Sequence, residues 1–208
     1  MYACVMLLGL CFLYVGVFLQ HAVVVRNRAS PVGIVRLCRQ LTPGQKKLVI
    51  EMGLSSILDI KCDKLNNPLV AWLTRLYNPA TRSFVIPGRG NVPLTEESVH
   101  QIMGIPWGRG EVKYREDFDL EASFGELLFG EDGSRPKVSR VAEIIVAHKR
   151  ADETFQRLWL LYVLSTLLVP TTAIRISNKC YPILVSYVLF FLITETVFFV
   201  AFCLCSRG

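Results

Sequence analysis

The side chains that could do chemistry are few in this sequence, and they are widely separated. His100 and His148 are the histidines of its central part, and each falls in a helix-forming stretch with no cysteine or second histidine at metal-ligand spacing. Both read as structural. Ser98 lies only two residues before His100, too close for a nucleophile and base that must meet across a fold, and no Gly-x-Ser-x-Gly elbow occurs. Gly88-Arg89-Gly90 begins like a phosphate loop, but the third glycine of that pattern and a Walker lysine are missing, so it reads as a turn. Asp117, Asp119 and Glu121 alternate as metal ligands can, without the glycine and terminal glutamate spacing of a calcium loop, and read as a solvated surface. Cys4, Cys11, Cys203 and Cys205 sit in apolar ends, while Cys38, Cys62 and Cys180 are scattered with no paired spacing; buried free thiols are expected. Two basic pairs, Lys46-Lys47 and Lys149-Arg150, have the charge to contact phosphates, a property common to exposed basic pairs. No catalytic, cofactor-binding or metal residue is assigned, no cofactor is implied, and a non-enzymatic protein is expected.

The elements that would position these groups are clearest between Leu41 and Gly110. Thr42 and Pro43 have the chemistry of a helix start, with Gln45 completing a capping box, and Gly53 stops that helix with Leu54 packing back on its last turn. Asn67-Pro68 repeats the start signal. Leu69, Val70, Trp72, Leu73 and Leu76 then recur at helical spacing until Asn78-Pro79 forces the backbone out. Ser83 to Ile86 and Val92 to Leu94, joined through Pro87-Gly88-Arg89-Gly90-Asn91, predict one hairpin with an edge that tolerates Pro93. Thr95 caps a third helix, Glu96 and Glu97 suit its dipole, and Gly104 ends it.

Elsewhere the chain is less decisive. Residues 26–40 carry four arginines interrupted by Pro31 and Gly33, which predicts a basic linker. A short helix is expected around Glu121 to Phe129. Val138 to Ala151 is amphipathic with Val141, Ile144, Ile145 and His148 on one side, and Ser139 can cap it. Asp152 starts the next helix. Phe155 to Val169 is apolar nearly all round, and its 15 residues, interrupted by Gln156, Arg157, Ser165 and Thr166, predict a buried core helix instead of a membrane span. The charge is uneven as well: residues 26–115 hold 14 basic against 6 acidic side chains, residues 116–134 hold 0 against 7, and residues 135–182 hold 8 against 3. A basic body with an acidic loop suits an anionic partner, although the two regions can also neutralise each other.

These residues carry a resemblance. Strand, glycine turn and strand followed by Thr95-Glu96-Glu97-Ser98-Val99 and Met103-Gly104-Ile105-Pro106 is similar to the aminotransferase-like plant mobile domain of transposon-derived plant proteins. Arg157 to Leu164, Leu167 to Pro170 and Asn178 to Leu184 are similar to the apolar helix of that family and the segment after it. The resemblance covers residues 41–184. It implies a mostly helical domain carried by mobile elements, often beside transposase or protease modules, with nuclear and genome-maintenance roles, and brings no catalytic residues; no lysine and phosphate-cup arrangement for pyridoxal phosphate is found. A chain truncated at that point would leave Phe155 to Val169 short of cover.

The two ends are a separate question. Residues 1–25 are apolar except for Gln20 and His21 and long enough to span a bilayer, with arginines following that would hold residues 26 onward in the cytoplasm. Ile183 to Leu204 is a second apolar run. Glu195 in its middle would cost about 3 kcal/mol at mid-bilayer. Val185-Ser186 can be encoded by a consensus intron start, and a translated intron over residues 185–208 is the alternative origin of this run. The expected fold is therefore mainly α: a helical domain with one small β-hairpin over residues 41–184, flanked by apolar segments, 1–25 and 185–208, that read as membrane helices. The expected function is an interaction module whose partner is protein or chromatin, with direct nucleic-acid contact left open and no small-molecule substrate evident. An integral membrane protein with two spans is the alternative. Location follows: membrane if the ends are translated as written, nuclear if they are not.

Overall fold

A computed structural model describes residues 31–62, 65–106, 125–130, 135–168, 170, 174–177, 180–181 and 184. The apolar ends, including Glu195, lie outside the described residues, as do Asp117, Asp119 and Glu121. Among the described residues no helix is long and apolar enough to cross a membrane.

The first helix, α1, runs Pro31–Gln40, where the composition predicts a linker. The reason is positional. Pro31 occupies the first turn, where its missing N–H costs nothing, and Ile34, Val35, Leu37 and Cys38 form a buried stripe that offsets the cost of Gly33. Arg36 and Arg39 stay in solvent on the opposite side. Helix α2, Pro43–Glu51, has the expected capping box, with Thr42 Oγ1 accepting from Gln45 N at 3.2 Å and Gln45 Oε1 accepting from Thr42 N at 2.9 Å. It closes as a Schellman turn: Leu54 N donates to Val49 O at 3.1 Å and Gly53 N to Ile50 O at 2.9 Å, with Gly53 at φ 71°. A single helical turn, α3, follows at Ser55–Leu58.

Helix α4, Asn67–Leu76, is capped by Asn66 and not Asn67: Asn66 Oδ1 accepts from Leu69 N at 3.1 Å, and Asn67 and Pro68 sit inside the first turn. The hairpin is the larger part of a three-stranded antiparallel sheet in the order β1-β2-β3, with β1 Tyr77–Asn78, β2 Ser83–Ile86 and β3 Gly90–Pro93. Two residues directly after a helix leave no periodicity in the sequence, so β1 is set only by pairing Tyr77 with Phe84 and Asn78 with Ser83. The Tyr77 and Phe84 rings lie 5.4 Å apart and tilted, an arrangement that favours aromatic pairs. Helix α5, Glu96–Met103, has Thr95 as its cap and Gly104 at φ 61° as its stop.

Residues 125–129 are helical and bury Phe129. Helix α6, Val138–Ala147, starts one residue before the expected cap: Lys137 holds that position, with no side-chain cap, and Ser139 lies exposed in the helix. The reason lies in the chain that comes back from residue 174. Val138 N donates to Ile174 O and Ile176 N to Pro136 O, both at 3.0 Å, so backbone pairing sets the helix start. Helix α7, Glu153–Val163, is capped by Asp152 and runs into a π-helical turn at Leu164–Leu168.

This last pair of elements is the centre of the fold. Every residue from Leu158 to Leu168 is buried, with Trp159 fully so, which agrees with a core helix. Helices α1, α2 and α6 pack around it, α1 against the π-turn and α6, and α2 against α7. The expected shortage of cover is not found at these residues: α1, the segment read as a linker, supplies it. Cys38 and Cys180 are buried cysteines outside any disulfide, whereas Cys62 is disulfide-bonded, contrary to the expectation of thiols throughout.

Candidate basic interface

The side chains with possible chemistry are mostly accounted for by local structure. His100 Nδ1 donates to Ile105 O at 2.6 Å across the end of α5, and His148 Nε2 donates to Asp152 Oδ1 at 2.7 Å across the α6–α7 turn. Ser98 is half of the α5 capping box, and Gly88-Arg89-Gly90 forms the β2–β3 turn, with Arg89 N bonded to Ile86 O at 3.0 Å. No group of three or more histidine, cysteine, aspartate or glutamate side chains is placed to hold a metal ion among the described residues.

What tertiary structure does assemble is a basic face. Gln45 is 1% exposed, and its amide is fully used: while Oε1 serves the capping box, Nε2 donates to His148 O at 2.7 Å and to Arg150 O at 3.3 Å. The α2 N-terminus is thereby fastened to the α6–α7 turn. A β-carbon on Gly44 would lie 3.5 Å from the Ala151 Cβ, which measures how closely the two backbones approach. The consequence is electrostatic. Gln45 brings the backbone segments that carry Lys46-Lys47 and Lys149-Arg150, a hundred residues apart in sequence, to one junction. All four are exposed. Lys47 meets Glu51 at 3.7 Å, an open surface pair of little energetic weight, and Lys46, Lys149 and Arg150 make no ion pair among the described residues.

Asp152 sits at the same junction as an anchor. Burial pushes its carboxyl upward, but the Phe155 N–H, the His148 ring and the Arg150 charge outweigh this and hold it below the usual aspartate range. It therefore stays ionised and keeps the turn capped.

Beside this face lies a recess of about 340 Å³. Its rim is cationic: Arg39 from α1, Lys46 from α2 and Lys61 from the segment after α3. Val35, Leu58 and Ile60 form apolar walls, and Cys38 contributes a buried thiol whose Sγ lies 3.9 Å from Ile57 O. Burial pushes this thiol up to about 11 against the opposing pull of Lys46, so it is neutral and unreactive at ordinary pH. Neither the face nor the recess is legible in sequence order, because their residues come from four separate stretches.

No curated protein and no solved structure matches the chain. A family model described as Domain of unknown function (DUF8566) matches residues 27–188, which include the whole basic face and recess, and the chain belongs to that family.

Proposed function

We propose that this domain is a non-catalytic interaction module whose basic face docks on nucleic acid, in the nuclear, genome-maintenance setting that the resemblance to plant mobile domains implies. One observation carries the reading: Gln45 ties together two segments that carry basic pairs distant in sequence, and Lys46, Lys149 and Arg150 are exposed and make no ion pair among the described residues. Unpaired lysine and arginine side chains at neighbouring positions match a row of phosphates, and each phosphate they neutralise releases counterions. Such contacts position a protein on nucleic acid without reading its sequence.

The test is fluorescence anisotropy of a labelled DNA duplex against the purified full chain across a salt series. Each phosphate contact contributes about 0.9 to the slope of log affinity against log salt, so the double variant Lys149→Ala/Arg150→Ala should reduce that slope by about two. Binding that is absent at low salt, or a slope unmoved by the double variant, overturns the reading. The apolar runs at the two ends of the sequence favour a second one, an integral membrane protein with spans near 1–25 and 185–208 and this domain in the cytoplasm. Alkali-resistant pelleting of the tagged protein from cells would select it over nuclear recovery.

A further inference from the structure

We propose that the recess between α1, α2 and the segment after α3 is a binding site for a phosphate monoester carried on a small apolar-faced body, of mononucleotide size. Its volume of about 340 Å³ falls at the small end of the roughly 300–1,000 Å³ that ligand pockets span. Three exposed cations from three different segments, Arg39, Lys46 and Lys61, line it, and none has an ion-pair partner among the described residues. Three converging cations exceed what one carboxylate needs, but suit a phosphate monoester, which carries about −1.5 to −2 charges near neutral pH and offers three acceptor oxygens. Arg39 supplies a planar fork for two of those oxygens, and the lysines act as point charges.

The interior decides the rest of the ligand. Val35, Leu58 and Ile60 offer nothing to hydrogen-bond, so the part of the ligand beyond its phosphate presents an apolar face, as a nucleobase does. Cys38 is compatible with an anion above it. Its thiol is held neutral by burial, and a thiolate would repel phosphate.

This site extends the nucleic-acid reading but shares only Lys46 with the face that carries it. A free mononucleotide and the 5′-phosphorylated end of a strand have the same chemistry. Isothermal titration of the full chain with adenosine monophosphate, with adenosine, and with short single strands bearing a 5′-phosphate or a 5′-hydroxyl tells them apart. Saturable binding of adenosine monophosphate with none of adenosine assigns the recess to free nucleotide. Tighter binding of the 5′-phosphorylated strand than of its 5′-hydroxyl twin assigns it to strand ends. In either case the exposed-site variants Arg39→Glu and Lys61→Glu should weaken binding at least tenfold, with thermal melts confirming that they fold. Lys149→Ala/Arg150→Ala, which disables the duplex-binding face, should leave it unchanged. The assignment is overturned if no phosphate ester binds at millimolar concentration, or if binding ignores Lys61→Glu. Absence of duplex binding by the wild-type chain, with nucleotide binding present, would sink the nucleic-acid reading alone.

Discussion

The Gln45 Nε2 lies 2.7 Å from the carbonyl oxygen of His148, and this bond joins two ends of the domain that are separated by 103 residues. The same amide bridges to Arg150 and closes the α2 capping box, so the nitrogen end has two acceptors and the oxygen end a donor. The orientation of the amide is fixed by that chemistry. A side chain that in an isolated helix would only cap has become the fastening between α2 and the α6–α7 turn.

Glu is as good a capping-box residue as Gln in isolation, and Gln45→Glu separates the two roles. Its second oxygen would face two carbonyl oxygens with nothing to donate. We expect a loss of about 1–3 kcal/mol in chemical denaturation at neutral pH, similar to Gln45→Ala, because buried acceptors are left unpaired. For Gln45→Glu alone the deficit should shrink in acid. The protonated carboxyl can donate again, so its folded pKa is raised and the stability present below the unfolded value is lost as pH rises through the folded one. Equal stability of Gln45→Glu and wild type at pH 7 would show that the fastening contributes nothing.

Asp152 predicts the opposite pH dependence. Its folded pKa is depressed below the ordinary value of about 3.9, so its contribution is present above that value and is lost as pH falls through the folded one. Asp152→Ala should cost about 1 kcal/mol at pH 7 as a lost helix cap. The difference between wild type and variant should hold down to about pH 4 and close only in stronger acid, where the aspartate takes up its proton. A pH series of urea melts reads this directly.

The π-turn contains two neighbouring hydroxyls with contrasting fates. Thr166 Oγ1 donates to Tyr162 O at 2.7 Å, while Ser165 Oγ is buried without a partner among the described residues. Removing an unsatisfied hydroxyl relieves its desolvation penalty, so Ser165→Ala should stabilise the fold by about 1 kcal/mol, whereas Thr166→Val should destabilise it by a similar amount. Destabilisation by Ser165→Ala in thermal melts would mean that the hydroxyl is satisfied in solution.

Gly53 is a backbone requirement. It sits at φ 71°, and a β-carbon there would lie 2.6 Å from the Pro106 Cγ, closer than two carbons can approach. Gly53→Ala combines left-handed strain of about 1–2 kcal/mol with displacement of the Pro106 ring that lies against Gly53. Gly88→Ala, with open space around its β-carbon, should bear the strain alone and lose less. Denaturant midpoints of the two variants compare the effects.

Cys38 should resist alkylation in the native protein. Its thiol, pushed up to about 11, is almost wholly protonated at pH 8, and peptide mapping after brief iodoacetamide treatment should find it unmodified until denaturant is added. The unfolded thiol ionises near 8.5, so this group's contribution is intact below that value and is lost as pH rises toward about 11.

Much of this protein is written locally. Thr42, Thr95 and Asp152 cap the helices their neighbours announce, Gly53 and Gly104 end them, and the apolar run from Phe155 to Leu168 is the centre of the core. These features depend on residues within a turn or two of each other, and short-range chemistry is what a sequence displays. The misplaced elements are those whose determinants lie far along the chain. The buried stripe of α1 overrides Pro31 and Gly33 because α6 and the π-turn lie against it; strand β1 exists because Phe84 and Ser83 pair with it; and the start of α6 is set by backbone bonds to residues 174–176. The candidate site belongs wholly to this second class. Lys46 and Lys149 are ordinary surface lysines in the linear chain, and only Gln45 reaching across to His148 and Arg150 brings the segments that carry them to one junction, since charges act through space and their spacing in sequence says nothing of that distance.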